Sequence, residues 1–432
     1  MRKTVVIAAL LAAAAFFAPR AALAQELEIS GEVRTGFYME QEKVGNDEEV
    51  AIGGATNNDG NSGGGAGRVR MDFRFTYENV GLRVRFQIEP EAKSTGPYMP
   101  KWNFIYAYAN TLQDQLTISG GLLGESPWGT GGHRLWSEPE TREFIQYNEL
   151  SGKPYIFSEG LLGIRFEYKP AFLSGLNVGF VLNQADQIQD DVLKQEFGEV
   201  LGESVIGAAY EHELFAVRVG YRFDSKADKN RINVENDGGR LTYRLEERVL
   251  TNMAEGMKVW LNGLYYGLGS ENYKGKEMVD GQEVTVEWGV GEYFINWLYW
   301  QWDTPNFITG VDVGFGIYKK YLNLEMIPER RPDYQSLEFH PAFYYKLLDN
   351  LLQVGVGLGF GLEFGEGKTY KDAPYQFIYV EPQIKFNIGT SAYIAAVYNF
   401  TDKYQWFDES EKERRGEKAV KHSLNIRAVY TF

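Results

Sequence analysis

The sequence of 432 residues contains no cysteine and only 4 histidines. Without cysteine the chain has no disulfide scaffold, no thiolate zinc site and no cysteine nucleophile. Four scattered histidines also argue against a histidine-based metal site. Acidic residues outnumber basic ones by 59 to 44, whereas nucleic-acid binding requires a basic surface. We therefore expect no cofactor, no metal and no nucleic-acid partner.

Long apolar runs are also scarce. The longest, at 5–18, follows two basic residues and precedes an A-x-A cleavage site that ends at Ala24. This pattern is typical of a secretory signal peptide, and the run is too short to span a bilayer comfortably. Charges interrupt every later candidate for a transmembrane helix. The sequence predicts a cleaved signal peptide at 1–24 and one domain at 25–432.

Alternation of apolar and polar residues is the main pattern in the rest of the chain. Between 68 and 89 the charged residues that alternate with apolar ones are Arg68, Arg70, Asp72, Arg74, Arg83, Arg85 and Glu89. Successive side chains of a strand point to opposite faces, so each strand has an apolar face and a charged face. The same alternation predicts strands around Arg165 and Glu167, and around Arg218 and Arg222.

In two further strands the alternation gives an aromatic face or a glycine-rich face instead of a charged one. Trp102, Phe104, Tyr106 and Tyr108 are predicted to share one face of their strand. The strand at 351–364 alternates large apolar residues with glycine. That glycine face leaves two interpretations open, because it could pack under an inward loop or widen a pore.

Short and long connections alternate along the chain. Short turns are predicted near 79–81, 111–115, 169–175, 212–214, 251–256, 303–306, 348–351 and 388–391. Long loops are predicted near 41–66, 93–100, 125–158, 186–203, 225–238, 271–283, 321–334, 365–373 and 403–419. Lipid cannot hydrogen-bond a strand edge, so a spanning sheet must close on itself. The pattern predicts an all-β, antiparallel, up-and-down transmembrane β-barrel of about 18 strands, or about 16 if one strand pair is wrongly divided. The short turns would be periplasmic and the long loops extracellular.

The last strand places five residues on one face: Leu424, Ile426, Ala428, Tyr430 and the terminal Phe432. It resembles the final strand of outer-membrane proteins of Gram-negative (diderm) bacteria, whose terminal aromatic residue is recognised by the barrel-assembly machinery. The resemblance implies that Tyr430 and Phe432 form an assembly signal. It also implies a location in the cell outer membrane, in contact with outer-membrane lipid.

The whole domain resembles porins of 16 to 18 strands. This resemblance implies a homotrimer and a third extracellular loop that folds into the lumen as a constriction. The third long connection here is 125–158, and its acidic residues are Glu125, Glu138, Glu140 and Glu143. The segments 123–132 and 247–250 are also similar to surface barrels of spirochaetes.

We predict a passive diffusion channel for small hydrophilic solutes and ions. The predicted pore-lining residues are Arg68, Arg70, Asp72, Arg74, Arg83, Arg85, Glu89, Arg165, Glu167, Arg218 and Arg222. These charges could pair within the wall, set selectivity, or do both. No histidine is paired by spacing with a nucleophile, so we expect no enzyme. The alternatives are a non-transporting adhesin or structural barrel, and a channel specific for a sugar or a carboxylate.

Overall fold

A computed structural model of the chain describes residues 26–44, 46–54, 68–88, 101–123, 128, 161–183, 204–223, 239–268, 273–279, 282–288, 292–319, 334–365, 376–404 and 418–432. The predicted signal peptide lies outside these residues. Within them the chain forms twenty-one strands and one helical turn. The strands are β1 Glu26–Val44, β2 Asp47–Gly54, β3 Arg68–Tyr77, β4 Val80–Ile88, β5 Lys101–Thr111, β6 Leu116–Leu123, β7 Leu161–Tyr168, β8 Leu176–Asn183, β9 Val205–Glu211, β10 Phe215–Arg222, β11 Gly239–Glu247, β12 Met257–Leu268, β13 Tyr273–Val279, β14 Gln282–Trp288, β15 Glu292–Asp303, β16 Phe307–Lys319, β17 Tyr334–Leu347, β18 Leu352–Gly365, β19 Gln376–Ile388, β20 Ala392–Tyr404 and β21 Lys418–Thr431; the helix, α1, is Val249–Met253.

Eighteen of these strands close into one antiparallel barrel: β1, β3 to β12 and β15 to β21. Each strand pairs with its neighbours along the chain, and β12 pairs with β15 across the intervening hairpin. The last strand, β21, pairs with β1 from Glu32↔Thr431 to Val44↔Ala419. This pairing closes the ring, and the predicted 18-stranded up-and-down barrel is confirmed.

The other three strands extend the long-connection end. β2 pairs with the distal half of β1, on the side that β3 occupies nearer the short turns. β13 and β14 form a separate two-stranded sheet. The long loop predicted near 271–283 therefore contains β13 and the first residues of β14.

All eight predicted short turns are present, and they lie at one end of the barrel. Two of them, 112–115 and 348–351, each begin with three successive non-glycine residues at positive φ. The turn between β11 and β12 contains α1, which has five residues. No helix in the described part of the chain has the length and apolarity needed to cross a membrane.

The prediction that Trp102 shares a face with Phe104, Tyr106 and Tyr108 is wrong. The register between β4 and β5 shifts at this point, with Arg85 opposite Phe104 and Phe86 opposite Trp102. Asn103 is therefore an extra residue, a β-bulge that reverses the facing of the strand. Trp102 is 46% exposed on the outer surface, whereas Phe104 is 2% exposed on the inner face.

Polarity is inverted relative to a soluble protein. Large apolar side chains such as Ile164, Phe166, Leu358 and Ile426 are exposed on the outer surface. Buried polar side chains lie at the alternating positions inside, and Arg165, Glu338, Glu381 and Arg427 are examples. An apolar exterior around a closed, hydrogen-bonded sheet is what lipid requires of a spanning protein. The chain therefore has the architecture of an outer-membrane-type β-barrel.

Candidate functional site on the inner wall of the barrel

The inner wall divides into two regions by residue type. The inner faces of β3 to β11 carry most of the arginines, and we call this region the arginine arc. The inner faces of β12 and β15 to β20 carry buried carboxylates among aromatic side chains, and we call this region the acidic–aromatic arc. The buried carboxylates of the second arc are Asp312, Glu338 and Glu381.

Most arginines of the arginine arc have a carboxylate partner nearby. Arg85 Nε lies 2.7 Å from Asp72 Oδ2 on the neighbouring strand. Arg165 Nε lies 2.6 Å from Glu167 Oε1, two residues along β7, and both side chains are buried. Each contact places opposite charges side by side and so neutralises positive charge locally, and the cross-strand Arg85–Asp72 pair contributes about 0.2–1 kcal/mol.

Arg83 has a like-charged cross-strand neighbour, as do Arg218 and Arg222. It is directly opposite Arg74 across β3 and β4, and such like-charge pairs repel. Within the described residues no carboxylate lies at ion-pair distance from Arg83. Its guanidinium lies 5.1 Å from the centre of the Phe104 ring, which Arg85 approaches to 4.6 Å. Arg74 contacts Glu28 at 3.5 Å, and both side chains are 52% exposed, so water screens this pair.

Trp128 belongs to the third long connection, 125–158, in which it is the residue that the structure describes, and it lies inside the barrel. Its indole packs on Gly179 of β8 and Gly207 of β9, where a Cβ atom would overlap the ring. The indole Nε1–H donates to Asn177 Oδ1 at 3.2 Å. Trp128 is fully buried in a cluster that also contains Phe104 and the β8–β9 residues Val181 and Val205. The two glycines therefore form a seat shaped for one aromatic side chain.

A hydrogen-bonded chain of three buried side chains occupies the acidic–aromatic arc. His340 Nε2 is hydrogen-bonded to Glu338 Oε2 and His340 Nδ1 to the Tyr379 hydroxyl, each at 2.9 Å. Trp297 stacks on the imidazole with 6.0 Å between centroids and 18° between planes. Asp312 is the cross-strand neighbour of His340 on β16.

The glycine face of β18 makes this chain of contacts possible. Gly359 separates His340 on β17 from Tyr379 on β19, and the Tyr379 ring lies where a Cβ of Gly359 would be. Gly355 accommodates Tyr344 in the same way. Side chains of the flanking strands fill the space beside these two glycines. The glycines are therefore explained here without an inward loop packed on them and without a wider pore.

Two further contacts complete the acidic–aromatic arc. Asn399 Nδ2 donates to Glu381 Oε2 at 3.0 Å, and the Thr401 hydroxyl donates to Asn399 Oδ1 at 2.7 Å. At the junction of the two arcs, Trp260 stacks on Tyr299 with 4.2 Å between centroids. Buried carboxylates in this arc are thus held partly by neutral amide, imidazole and hydroxyl groups.

The predicted pore-lining residues fall into two groups. The structure places nine of them on the inner face: Arg70, Asp72, Arg74, Arg83, Arg85, Arg165, Glu167, Arg218 and Arg222. Arg68 belongs to β3, but its side chain is outside the described residues, as are Glu89 and the loop residues Glu125, Glu138, Glu140 and Glu143. Their contribution to a pore stays a prediction.

The predicted assembly signal lies at the seam of the barrel. The Gly31 N–H donates to Phe432 O at 2.9 Å, and the Phe432 N–H donates to Gly31 O at 3.1 Å. The Phe432 ring stacks on Tyr430 and occupies the space beside Gly31 on the outer surface. The final residue therefore joins the first and last strands, while its recognition during assembly stays a prediction.

Sequence reasoning did not single out the three buried carboxylates of the acidic–aromatic arc. The signal was present, since Glu338 and His340 alternate with Leu337 and Phe339. It was weaker than the arginine signal because glycine takes many of the neighbouring inward positions on β16 and β18. Within the described residues no group of three or more histidine, aspartate or glutamate side chains could hold a metal ion.

Comparison with known proteins finds resemblance at the level of architecture. No family model matches the chain, and no curated protein matches it. Similar solved structures include a trimer form of OmpT, an outer membrane protein of Vibrio cholerae (12% identity, TM-score 0.49, 94% of this chain and 99% of that chain). They also include the outer membrane channel DcaP of Acinetobacter baumannii (10%, 0.48, 94% and 97%) and an anion-selective porin from Comamonas acidovorans (10%, 0.45, 94% and 99%).

Proposed function

We propose that the protein is an outer-membrane porin, a passive diffusion channel for small hydrophilic solutes and ions. The observation that carries the proposal is the inverted polarity of a closed ring of eighteen strands. Barrels of about 16–18 strands are wide enough to leave an aqueous channel. A polar inner wall stabilises water and ions there. The proposed function of the lumen is therefore transport and not catalysis.

The third long connection, 125–158, is the proposed constriction. The position of Trp128 supports this assignment, because its ring is seated on the inner wall near the start of that connection. The acidic residues Glu125, Glu138, Glu140 and Glu143 would then bring negative charge into the lumen opposite part of the arginine arc. A homotrimer and recognition by the barrel-assembly machinery are further proposals, and they rest on the porin resemblance.

Single-channel recording in a planar lipid bilayer tests the channel directly. The purified, refolded full chain should give stable conductance steps, and the reversal potential in a salt gradient should report which charges govern selectivity. A folded, β-rich protein that gives no steps would contradict the proposal and favour a non-transporting surface barrel.

A single cysteine locates the conducting path, since the chain has no cysteine of its own. In Arg83→Cys the thiol faces inward, so a charged methanethiosulfonate reagent added to the bath should change the conductance in a discrete step. Leu82→Cys is the matched control, because the neighbouring side chain lies on the opposite, outer face. Equal responses of the two variants would show that current does not pass along the inner wall.

A further inference from the structure

Four consecutive short turns between β5 and β12 expose large apolar side chains. Phe172 is 84% exposed, Met253 79% and Leu112 60%. We call the set the turn apron, and its members are Leu112, Phe172, Leu173, Leu214, Val249, Leu250 and Met253. Large exposed apolar residues that cluster on neighbouring turns mark a contact with a partner or with lipid.

The remaining short turns are mostly polar. The β3–β4 turn consists of Glu78 and Asn79, and the β19–β20 turn of Gly389, Thr390 and Ser391. Exposed large apolar residues on these turns are confined to Leu348 and Leu351 between β17 and β18. The turn apron is therefore a property of one side of the barrel rim.

Hydrogen bonds connect the four turns into one continuous rim. The Lys169 N–H donates to Gln115 O at 2.7 Å, and the Glu211 N–H donates to Gly175 O at 3.0 Å. The Arg248 N–H donates to Leu214 O at 2.9 Å, and Asn252 Nδ2 donates to Glu213 O at 3.0 Å. These polar groups are satisfied within the protein and need no hydrogen bond to water.

The turn apron also continues the lipid-facing surface. Ile118 on β6, Phe166 on β7, Ile206 on β9 and Leu245 on β11 are exposed apolar residues on the outer faces of the strands that lead to these turns. An apolar surface that borders the lipid-facing surface is stabilised by contact with the same lipid.

We infer that the turn apron is a membrane-anchoring surface whose occupant is phospholipid at the boundary between acyl chains and headgroups. The β5–β12 side of the short-turn rim then lies deeper in the bilayer than the opposite side. Apolar side chains at this boundary are stabilised in proportion to the apolar area that they bury. The inference does not depend on conduction through the lumen.

A fluorescent reporter at a single thiol tests this anchoring. Phe172→Cys and the control Thr390→Cys, each labelled with an NBD dye, are reconstituted as full-length protein in phosphatidylcholine–phosphatidylglycerol vesicles. We expect blue-shifted emission at position 172, strong quenching by doxyl-labelled lipid, and an iodide quenching constant severalfold below that at position 390.

Two results would overturn the inference. Iodide quenching at position 172 equal to that at position 390 would place the turn apron in water. Protection from both iodide and doxyl lipid would indicate a protein neighbour, such as a second copy of the chain. Protease resistance and far-UV circular dichroism check folding, and Met253→Cys provides an independent second site that must give the same answer.

Discussion

The arginine arc and the acidic–aromatic arc hold their buried charges with different partners. In the arginine arc Arg165 pairs with Glu167 of the same strand, and Arg85 pairs with Asp72 one strand away. In the acidic–aromatic arc, Glu338 contacts His340, whose other nitrogen contacts Tyr379 two strands away. The first arrangement joins near neighbours, whereas the second requires a glycine strand between its partners.

This difference separates two ways of building a polar wall inside a membrane. Opposite charges on adjacent inward positions neutralise one another, so a buried pair carries little net charge. A carboxylate held by imidazole, hydroxyl and amide groups depends instead on the packing that positions those groups. We therefore expect the arginine arc to be sensitive to the loss of a charge and the acidic–aromatic arc to be sensitive to added volume.

Loss of a buried charge in the arginine arc should have the largest effect. Arg165→Ala leaves Glu167 buried without its cation, and breaking a buried pair costs about 3–5 kcal/mol. Arg74→Ala is the matched control in the same arc, because its pair with Glu28 is half exposed and worth about 0–1 kcal/mol. Urea unfolding in lipid vesicles measures both, and equal losses would contradict the assignment of Arg165 as a buried pair.

Added volume in the acidic–aromatic arc should have the next largest effect. Gly359→Ala places a methyl group where the Tyr379 ring lies, and overpacking of this kind costs about 1–3 kcal/mol. Gly120→Ala adds the same atom where it meets nothing within 4 Å. A loss of unfolding free energy at position 120 as large as at position 359 would show that strand backbone, rather than the ring, causes it.

The smallest effect is expected from the loss of one hydrogen bond in the arginine arc. Asn177→Ala removes the acceptor of the Trp128 indole N–H and keeps the indole on Gly179 and Gly207, so a hydrogen bond worth about 0.5–1.5 kcal/mol is lost. Urea unfolding should show a loss of this size, and the same substitution should cost less in a Trp128→Phe background, which has no indole N–H. Equal losses in the two backgrounds would show that the indole N–H and Asn177 act independently.

The sequence predicted much of the fold but only part of the site. Short turns separate strands and alternation assigns faces, so the strand number and the inward positions of Arg83 and Arg165 could be inferred. The Phe104 strand could not, because a single extra residue, Asn103, reverses the facing and leaves no break in the apolar pattern. The β13–β14 hairpin could not be inferred, because three residues separate the end of β14 from the spanning strand β15, and the two strands look like one in the sequence.

By itself the sequence determined that the chain forms a barrel with a polar interior, because a period of two places side chains on alternate faces of every strand. Only the tertiary structure decided which inward residues meet. Cross-strand register brings Tyr379 over Gly359 to His340, 39 positions earlier in the chain, and seats Trp128 on Gly179 and Gly207. Register depends on the pairing of every strand in the closed ring, and no local pattern contains that information.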